Sequence, residues 1–87
     1  MNENTPFQVR PRASIRVVYK PEKLELIVLN EDVNEIEIYS SAGRKILVLH
    51  GRIRFTLPAS TLPSGIYYAL AKVEGKTIAH KKIIIAK

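Results

Sequence analysis

The strongest constraint on the fold is a period-two alternation of apolar and polar residues that recurs from Ser14 to Ile85. In an extended strand this period places alternate side chains on opposite faces, so one face is apolar. Turn residues interrupt the alternation about every ten positions, a spacing typical of all-β domains. No window carries a helical apolar stripe over three turns. The pattern therefore predicts an all-β chain.

The alternation predicts seven strands, which cover residues 15–19, 24–28, 35–39, 45–50, 52–57, 66–73 and 77–85. Proline or glycine stands in several of the turns between them, as at Pro21, Gly43 and Gly75. Proline fixes its own φ, and glycine permits the positive φ that tight turns need. Strands of this number and length favour a two-sheet sandwich or a small barrel.

The 87-residue chain has room for one small domain, which we expect at residues 14–87. Residues 1–13 are polar, contain Pro6 and Pro11, and are interpreted as a flexible tail or linker. The chain lacks cysteine, which excludes disulfides, zinc-thiolate sites and a cysteine nucleophile. The apolar runs, such as 46–49, are all too short for a transmembrane segment. No signal-peptide pattern is visible at residues 1–6, so an exported protein would be present here as a mature form or a fragment.

The formal net charge of +6 is unevenly distributed, with −2 on residues 1–40 and +8 on residues 41–87. Such an asymmetry can indicate nucleic acid or an anionic surface as partner. The basic residues are scattered, however, and neither an RNA-binding aromatic signature nor a recognition helix accompanies them. We therefore expect no nucleic-acid partner and interpret most of the charge as a solvated strand face.

Residues suited to catalysis or metal binding form no convincing constellation. Glu35 and Glu37 share one strand face at roughly 7 Å, a separation that could suit an acid and base pair. They lie on a face predicted to be solvated, without supporting pocket residues. The glycines are isolated at turns, so no phosphate-binding loop is present. We expect no enzyme activity, catalytic residue, metal or cofactor.

Three motifs in residues 36–87 resemble a known family. The first is Ile36-Glu37-Ile38-Tyr39-Ser40-Ser41-Ala42-Gly43-Arg44-Lys45, the second is Leu62-Pro63-Ser64-Gly65-Ile66-Tyr67, and the last comprises Gly75-Lys76 and Lys81-Lys82-Ile83-Ile84-Ile85. In this order they are similar to the C-terminal sorting domain of type IX secretion cargo, in its type A, immunoglobulin-like form. The similarity is looser over Val17 to Val28, where Lys20-Pro21 keeps only the proline of an Asn-Pro pair common in the family.

The resemblance implies an immunoglobulin-like antiparallel β-sandwich without catalytic function. It implies recognition by outer-membrane secretion and sorting proteins, with passage through the periplasm to the outer-membrane surface or the extracellular space. The partner-recognition residues it implies are Lys81, Lys82, Ile83, Ile84, Ile85 and Lys87. The residues with a structural role in its motifs are Gly43, Leu62, Pro63, Gly65, Tyr67 and Gly75.

Other interpretations stay open at the level of sequence. A small stand-alone secreted immunoglobulin-like protein, adhesive or of unknown role, would share these strand patterns. A polyanion or glycan binder could use Arg44, Lys45, Arg52 and Arg54. An exposed last strand would also allow a homodimer formed by edge pairing.

Overall fold

Residues 14–87 are described by a computed structural model, and they form seven strands and one short 3-10 helix. The tail or linker expected at residues 1–13 lies outside these described residues. The elements are β1 (Ile15–Tyr19), β2 (Lys23–Val28), β3 (Glu35–Ser40), β4 (Lys45–His50), β5 (Arg54–Pro58), the 3-10 helix (Ala59–Thr61), β6 (Gly65–Val73) and β7 (Lys76–Ile85).

The strands pair into two sheets, one in the order β1-β2-β5 and one in the order β4-β3-β6-β7. All of these pairings are antiparallel. The buried apolar residues of both sheets form one core cluster. The predicted all-β, immunoglobulin-like antiparallel sandwich is therefore confirmed.

The core consists of the apolar residues that the alternation places on one face of each strand. In β2, for example, Leu24, Leu26 and Val28 are buried. In the other sheet the small residues Ala69 and Ala71 lie beside Ile38 and Ile36 of the neighbouring strand. Further core residues come from other strands and loops: Ile15, Val33, Phe55, Leu57, Leu62, Tyr67 and Ile83.

The fifth strand begins at Arg54, two residues later than predicted, because Ile53 has a φ of 65°. A β-branched residue rarely adopts this left-handed conformation, since its side chain crowds the backbone. The carbonyl of Ile53 accepts a hydrogen bond of 2.8 Å from the N–H of Val28, which ties the turn to β2. Alternation alone includes Ile53 in the strand because it records side-chain type and not backbone angle.

The two sheets have four edge strands: β1 and β5 in one sheet, and β4 and β7 in the other. Two of them, β1 and β7, contact each other near the C-terminal end of the chain. β7 ends the four-stranded sheet, and β1 ends the other. The two are linked where the N–H of Ile84 donates to the hydroxyl of Tyr19 at 3.3 Å. This contact positions the last strand against the first.

Candidate recognition site

The terminal segment, residues 81–87, combines three lysines with a run of three isoleucines. Lys81, Lys82 and Lys87 are all exposed. Within residues 14–87, none of these lysines forms an ion pair with a carboxylate. The segment therefore presents uncompensated positive charge along an exposed edge.

The three isoleucines face different surroundings although they are consecutive. Ile83 is wholly buried in the core, opposite Tyr67 of β6. Ile84 is 55% exposed on the outer face, and Ile85 is half-buried against the core. This division follows from the strand period, because neighbouring side chains point to opposite faces. Ile83 thus anchors the segment, while Ile84 is displayed on it.

Two hydrogen bonds to side chains hold the segment in addition to its pairing with β6. The N–H of Ile84 donates to the hydroxyl of Tyr19, and the N–H of Lys87 donates to Oγ of Ser64 at 3.2 Å. Ser64 belongs to the Leu62-Pro63-Ser64-Gly65 motif, so the motif contacts the terminal segment directly.

The same motif forms the loop that leads into β6, and its Leu62 side chain packs into the core. Leu62 is buried, and the hydroxyl of the buried Tyr67 donates to the carbonyl of Pro63 at 2.6 Å. A Cβ on Gly65 would lie 3.5 Å from that hydroxyl oxygen. Gly65 and Tyr67 are in register with Ile85 and Ile83, respectively. The motif therefore forms the support against which the terminal segment is paired.

The other two glycines among the motif residues occupy hairpin turns. Gly43 has a φ of 86° between β3 and β4, and Gly75 has a φ of 81° between β6 and β7. An L side chain is strained in this region, whereas glycine is not. At the first turn, Oγ of Ser40 also accepts from the N–H groups of Ala42 and Arg44.

A groove of about 710 Å³ lies beside the terminal segment, between the ends of the two sheets. Its apolar wall includes Tyr19, Leu24, Leu57, Leu62, Ile84 and Ile85. Lys20, Lys23 and Lys87 also line it. The groove thus joins an apolar surface to positive charge.

Glu25 is a buried carboxylate on the outer face of the three-stranded sheet, with 3% of its surface exposed. Burial alone would raise its pKa. Lys20 and Lys23, at 3.5 and 3.4 Å, outweigh that effect, so the pKa lies below its ordinary value. Arg54 adds a third cation at 3.7 Å. Two lysines that line the groove are therefore partly compensated by Glu25.

The prediction of a solvated face at Glu35 and Glu37 is wrong for Glu37, which is buried. The hydroxyl of Tyr39 donates to its Oε1 at 2.8 Å, and Lys45 and Lys72 lie at 3.4 and 3.7 Å. The Tyr39 hydrogen bond, opposed by burial and aided by the lysines, lowers the pKa of Glu37. The same bond raises the pKa of Tyr39. The cluster has the composition of a structural ion-pair network.

The four basic residues proposed for a polyanion site are not brought together. Arg44 and Lys45 lie at the start of β4, whereas Arg52 follows its end. Lys45 pairs with Glu37 on one sheet, and Arg54 pairs with Glu25 on the other. No single basic surface results from these residues.

Residues 14–87 contain no group of three or more His, Cys, Asp or Glu residues that could hold a metal ion. Nor does this part of the chain form a helix with the length and apolarity needed to cross a membrane.

Sequence reasoning missed Tyr19, Ser64 and the groove. Tyr19 was assigned only to the first strand, but its hydroxyl contacts a residue 65 positions away. Ser64 has no role of its own in the sequence motif, but its hydroxyl accepts a hydrogen bond from the N–H of Lys87. Both contacts depend on how the sheets are stacked, and no local pattern signals them.

Comparison with known proteins gives one result that covers most of the chain. A family model described as "Secretion system C-terminal sorting domain" matches residues 21–86. Neither a curated protein nor a solved structure matches the chain. The match includes β2 to β7 and therefore both sheets.

Proposed function

This chain belongs to the family of secretion system C-terminal sorting domains, and from that premise we propose that its terminal segment is read by the secretion machinery through protein–protein contacts. A sorting role in type IX secretion, with export to the cell surface or the extracellular space, follows from family membership. The finer proposal concerns which residues the machinery contacts.

The observation that carries the proposal is the family match over residues 21–86, which includes nearly all of the terminal segment. In that segment the exposed Lys81, Lys82 and Lys87 supply charge, and Ile84 supplies an exposed apolar side chain. Ile83 and Ile85 contribute by holding the strand in place against the core. Protein partners commonly bind an edge strand through its backbone and its alternate side chains.

The partners are outer-membrane secretion and sorting proteins, which the domain meets after transit through the periplasm. The domain acts by binding and not by catalysis. The motif residues Leu62, Pro63, Gly65 and Tyr67 act indirectly, because they hold the strand that is displayed.

The experiment is an export assay in a type IX secretion host with residues 1–87 fused behind a reporter protein. A second fusion lacks residues 81–87, and a third carries Lys76→Ala and Arg44→Ala, which remove two exposed cations outside the segment. We expect the intact and control fusions to be exported and the truncated fusion to accumulate in the cell. Equal export of the truncated and intact fusions would reject the proposal.

A further inference from the structure

The edge of β7 has hydrogen-bonding groups that no other strand within residues 14–87 pairs with. The N–H of Ile84 points away from β6, since it donates to the Tyr19 hydroxyl. Along an antiparallel strand these directions alternate, so the N–H and C=O groups of Lys82 point the same way. Within residues 14–87, this edge of the terminal segment is therefore paired with no strand, and the Tyr19 hydroxyl contacts it at Ile84.

The hydroxyl of Tyr19 accepts the hydrogen bond from the N–H of Ile84 that a backbone carbonyl of an added strand would otherwise accept. Its side chain is 56% exposed and comes from the last residue of β1. Turning it away would break one hydrogen bond and would leave the core unchanged. We propose that the edge of β7 binds an acidic, extended strand of a partner protein, and that Tyr19 is a removable cap on this edge. The inference rests on the proposed function, because it names the partner chemistry for the same segment.

The charge of β7 and the residues after it favours an acidic partner over a second copy of this chain. Residues 76–87 contain four lysines and no acidic residue. Like charges on directly opposed strands are destabilising, whereas opposite charges stabilise the pair. Two β7 strands side by side would place lysines near lysines. A strand with Glu or Asp near Lys81 and Lys82 would instead compensate both.

The groove lies at the end of this edge, and its apolar wall favours a partner with an apolar side chain at that point. Ile84, Ile85 and Lys87 line it together with the apolar Leu57 and Leu62. From Lys82 to Ile85 the strand advances roughly 10 Å, at about 3.3 Å per residue. A partner strand with acidic residues near Lys81 and Lys82 would therefore place a residue about three positions further along at the groove. A bulky apolar side chain fits that position.

Residues 1–13 of the chain are a less suitable occupant of the groove. They precede Ser14, which adjoins the end of β1 opposite to Tyr19. They also carry Arg10 and Arg12 against a single acid, Glu3, so their net charge has the same sign as the terminal segment.

The test uses fluorescence anisotropy with the full 87-residue chain and two labelled peptides. The first probe is Thr-Val-Val-Glu-Glu-Val-Thr-Phe, whose adjacent Glu residues face opposite sides as Lys81 and Lys82 do. The matched probe has Lys in place of both Glu residues. We expect the acidic probe to bind at least about tenfold more tightly than the basic probe, which corresponds to about 1.4 kcal/mol. Equal affinity for the two probes would overturn the inference.

Charge-reversal variants distinguish binding at the edge of β7 from a general effect of the protein's net charge. The double variant Lys81→Glu and Lys82→Glu should reverse the preference between the probes. The control Lys76→Glu and Arg44→Glu makes the same change in net charge at exposed positions outside the segment. It should keep most of the preference for the acidic probe. Reversal by both variants would show a nonspecific charge effect and would contradict the proposal.

Two further variants test strand addition and the cap. Lys82→Pro removes an N–H that faces the open edge, where proline is tolerated, and should weaken binding of the acidic probe about tenfold. Tyr19→Phe should strengthen it roughly two- to tenfold, because the probe no longer competes with an internal hydrogen bond. Circular dichroism checks that each variant is folded. Unchanged binding by folded Lys82→Pro would refute strand addition, and unchanged or weaker binding by Tyr19→Phe would refute the cap.

Two outcomes would assign the edge to another occupant. If sedimentation shows a dimer and the Lys82→Pro variant is monomeric, the edge of β7 binds a second copy of this chain. At least tenfold tighter probe binding on deletion of residues 1–13 would assign it to this chain's own segment. The export assay distinguishes failure of this inference from failure of the proposed function. If truncation of residues 81–87 blocks export while the acidic probe shows no preference, the function stands and the acidic-strand inference falls.

Discussion

At the scale of single residues, Glu25 and Glu37 are the two buried carboxylates within residues 14–87. Each is surrounded by cations, and each has a lowered pKa. For Glu25, Lys20 and Lys23 outweigh the opposing effect of burial. For Glu37, the hydrogen bond from Tyr39 is the largest cause. Folding therefore favours the charged form of both side chains.

These pKa values predict a loss of stability in acid. A carboxyl with a lowered folded-state pKa contributes stability that is complete above its unfolded pKa, about 4.3 for Glu, and is lost as the pH falls through the folded value. Urea midpoints measured from pH 7 to pH 2 should therefore fall below about pH 4.5. Glu25→Gln should be less stable at pH 7 and show a smaller further fall, whereas Glu31→Gln, at an exposed turn, should follow the wild type. An identical pH profile for Glu25→Gln would contradict this account.

The Tyr67 hydroxyl gives a second prediction at this scale. It donates to the carbonyl of Pro63, so Tyr67→Phe leaves that carbonyl without its partner. We expect a loss of about 1 kcal/mol in the free energy of unfolding, measured by urea denaturation. Tyr68→Phe is the control, because Tyr68 points to the outer face and is partly exposed. A loss of equal size in both variants would show that the hydrogen bond to the Pro63 carbonyl does not contribute measurably to the free energy of unfolding.

At the scale of the element, β7 is an edge strand that resists uncontrolled pairing. Lys81 shares the strand face of the buried Ile83 but is itself exposed, which places a charge on the inward side of an edge. Such charges discourage edge-to-edge association. Tyr19 adds a side-chain cap at Ile84. The strand is thus protected and still remains at the surface.

The isoleucine run predicts effects of very different size from two neighbouring substitutions. Ile83→Ala should reduce the free energy of unfolding by about 2–5 kcal/mol, because it opens a cavity in the core. Ile84→Ala should change it by only about 0.5 kcal/mol, because the side chain is largely exposed. Denaturant unfolding of both variants checks the difference. Similar losses would mean that the strand does not lie in the register described here.

The elements themselves were largely predictable, because alternation is a local property of the sequence. The strand bounds at β1 and β4 agree with the residues predicted from it. The conformation of Ile53 was not predictable, since a β-branched residue rarely has a positive φ and its hydrogen bond to β2 comes from a residue 25 positions earlier. The burial of Glu37 was missed because Lys45 and Lys72 reach it from neighbouring strands. The groove was also missed, because it exists only where the ends of both sheets meet.

At the scale of the whole molecule, several parts of the sandwich hold the terminal segment at an exposed edge. The Leu62-Pro63-Ser64-Gly65 motif, β6 and β1 each contact the terminal segment. Lys81, Lys82 and Lys87, which pair with no carboxylate among residues 14–87, are distributed along this segment, and Lys87 also lines the apolar groove. This arrangement is consistent with our proposal that secretion proteins contact the terminal segment.

The most direct test of this account is export of a fusion that keeps the fold and loses only the displayed charge. Lys81→Ala, Lys82→Ala and Lys87→Ala are combined in one fusion, and Arg44→Ala, Arg52→Ala and Lys76→Ala in its matched control. All six positions are exposed, so both fusions should fold. The fraction of reporter at the surface or in the medium should fall at least about tenfold for the first fusion and stay near the wild-type value for the control, a difference of about 1.4 kcal/mol if it reflects binding alone. Wild-type export of the first fusion would contradict the account.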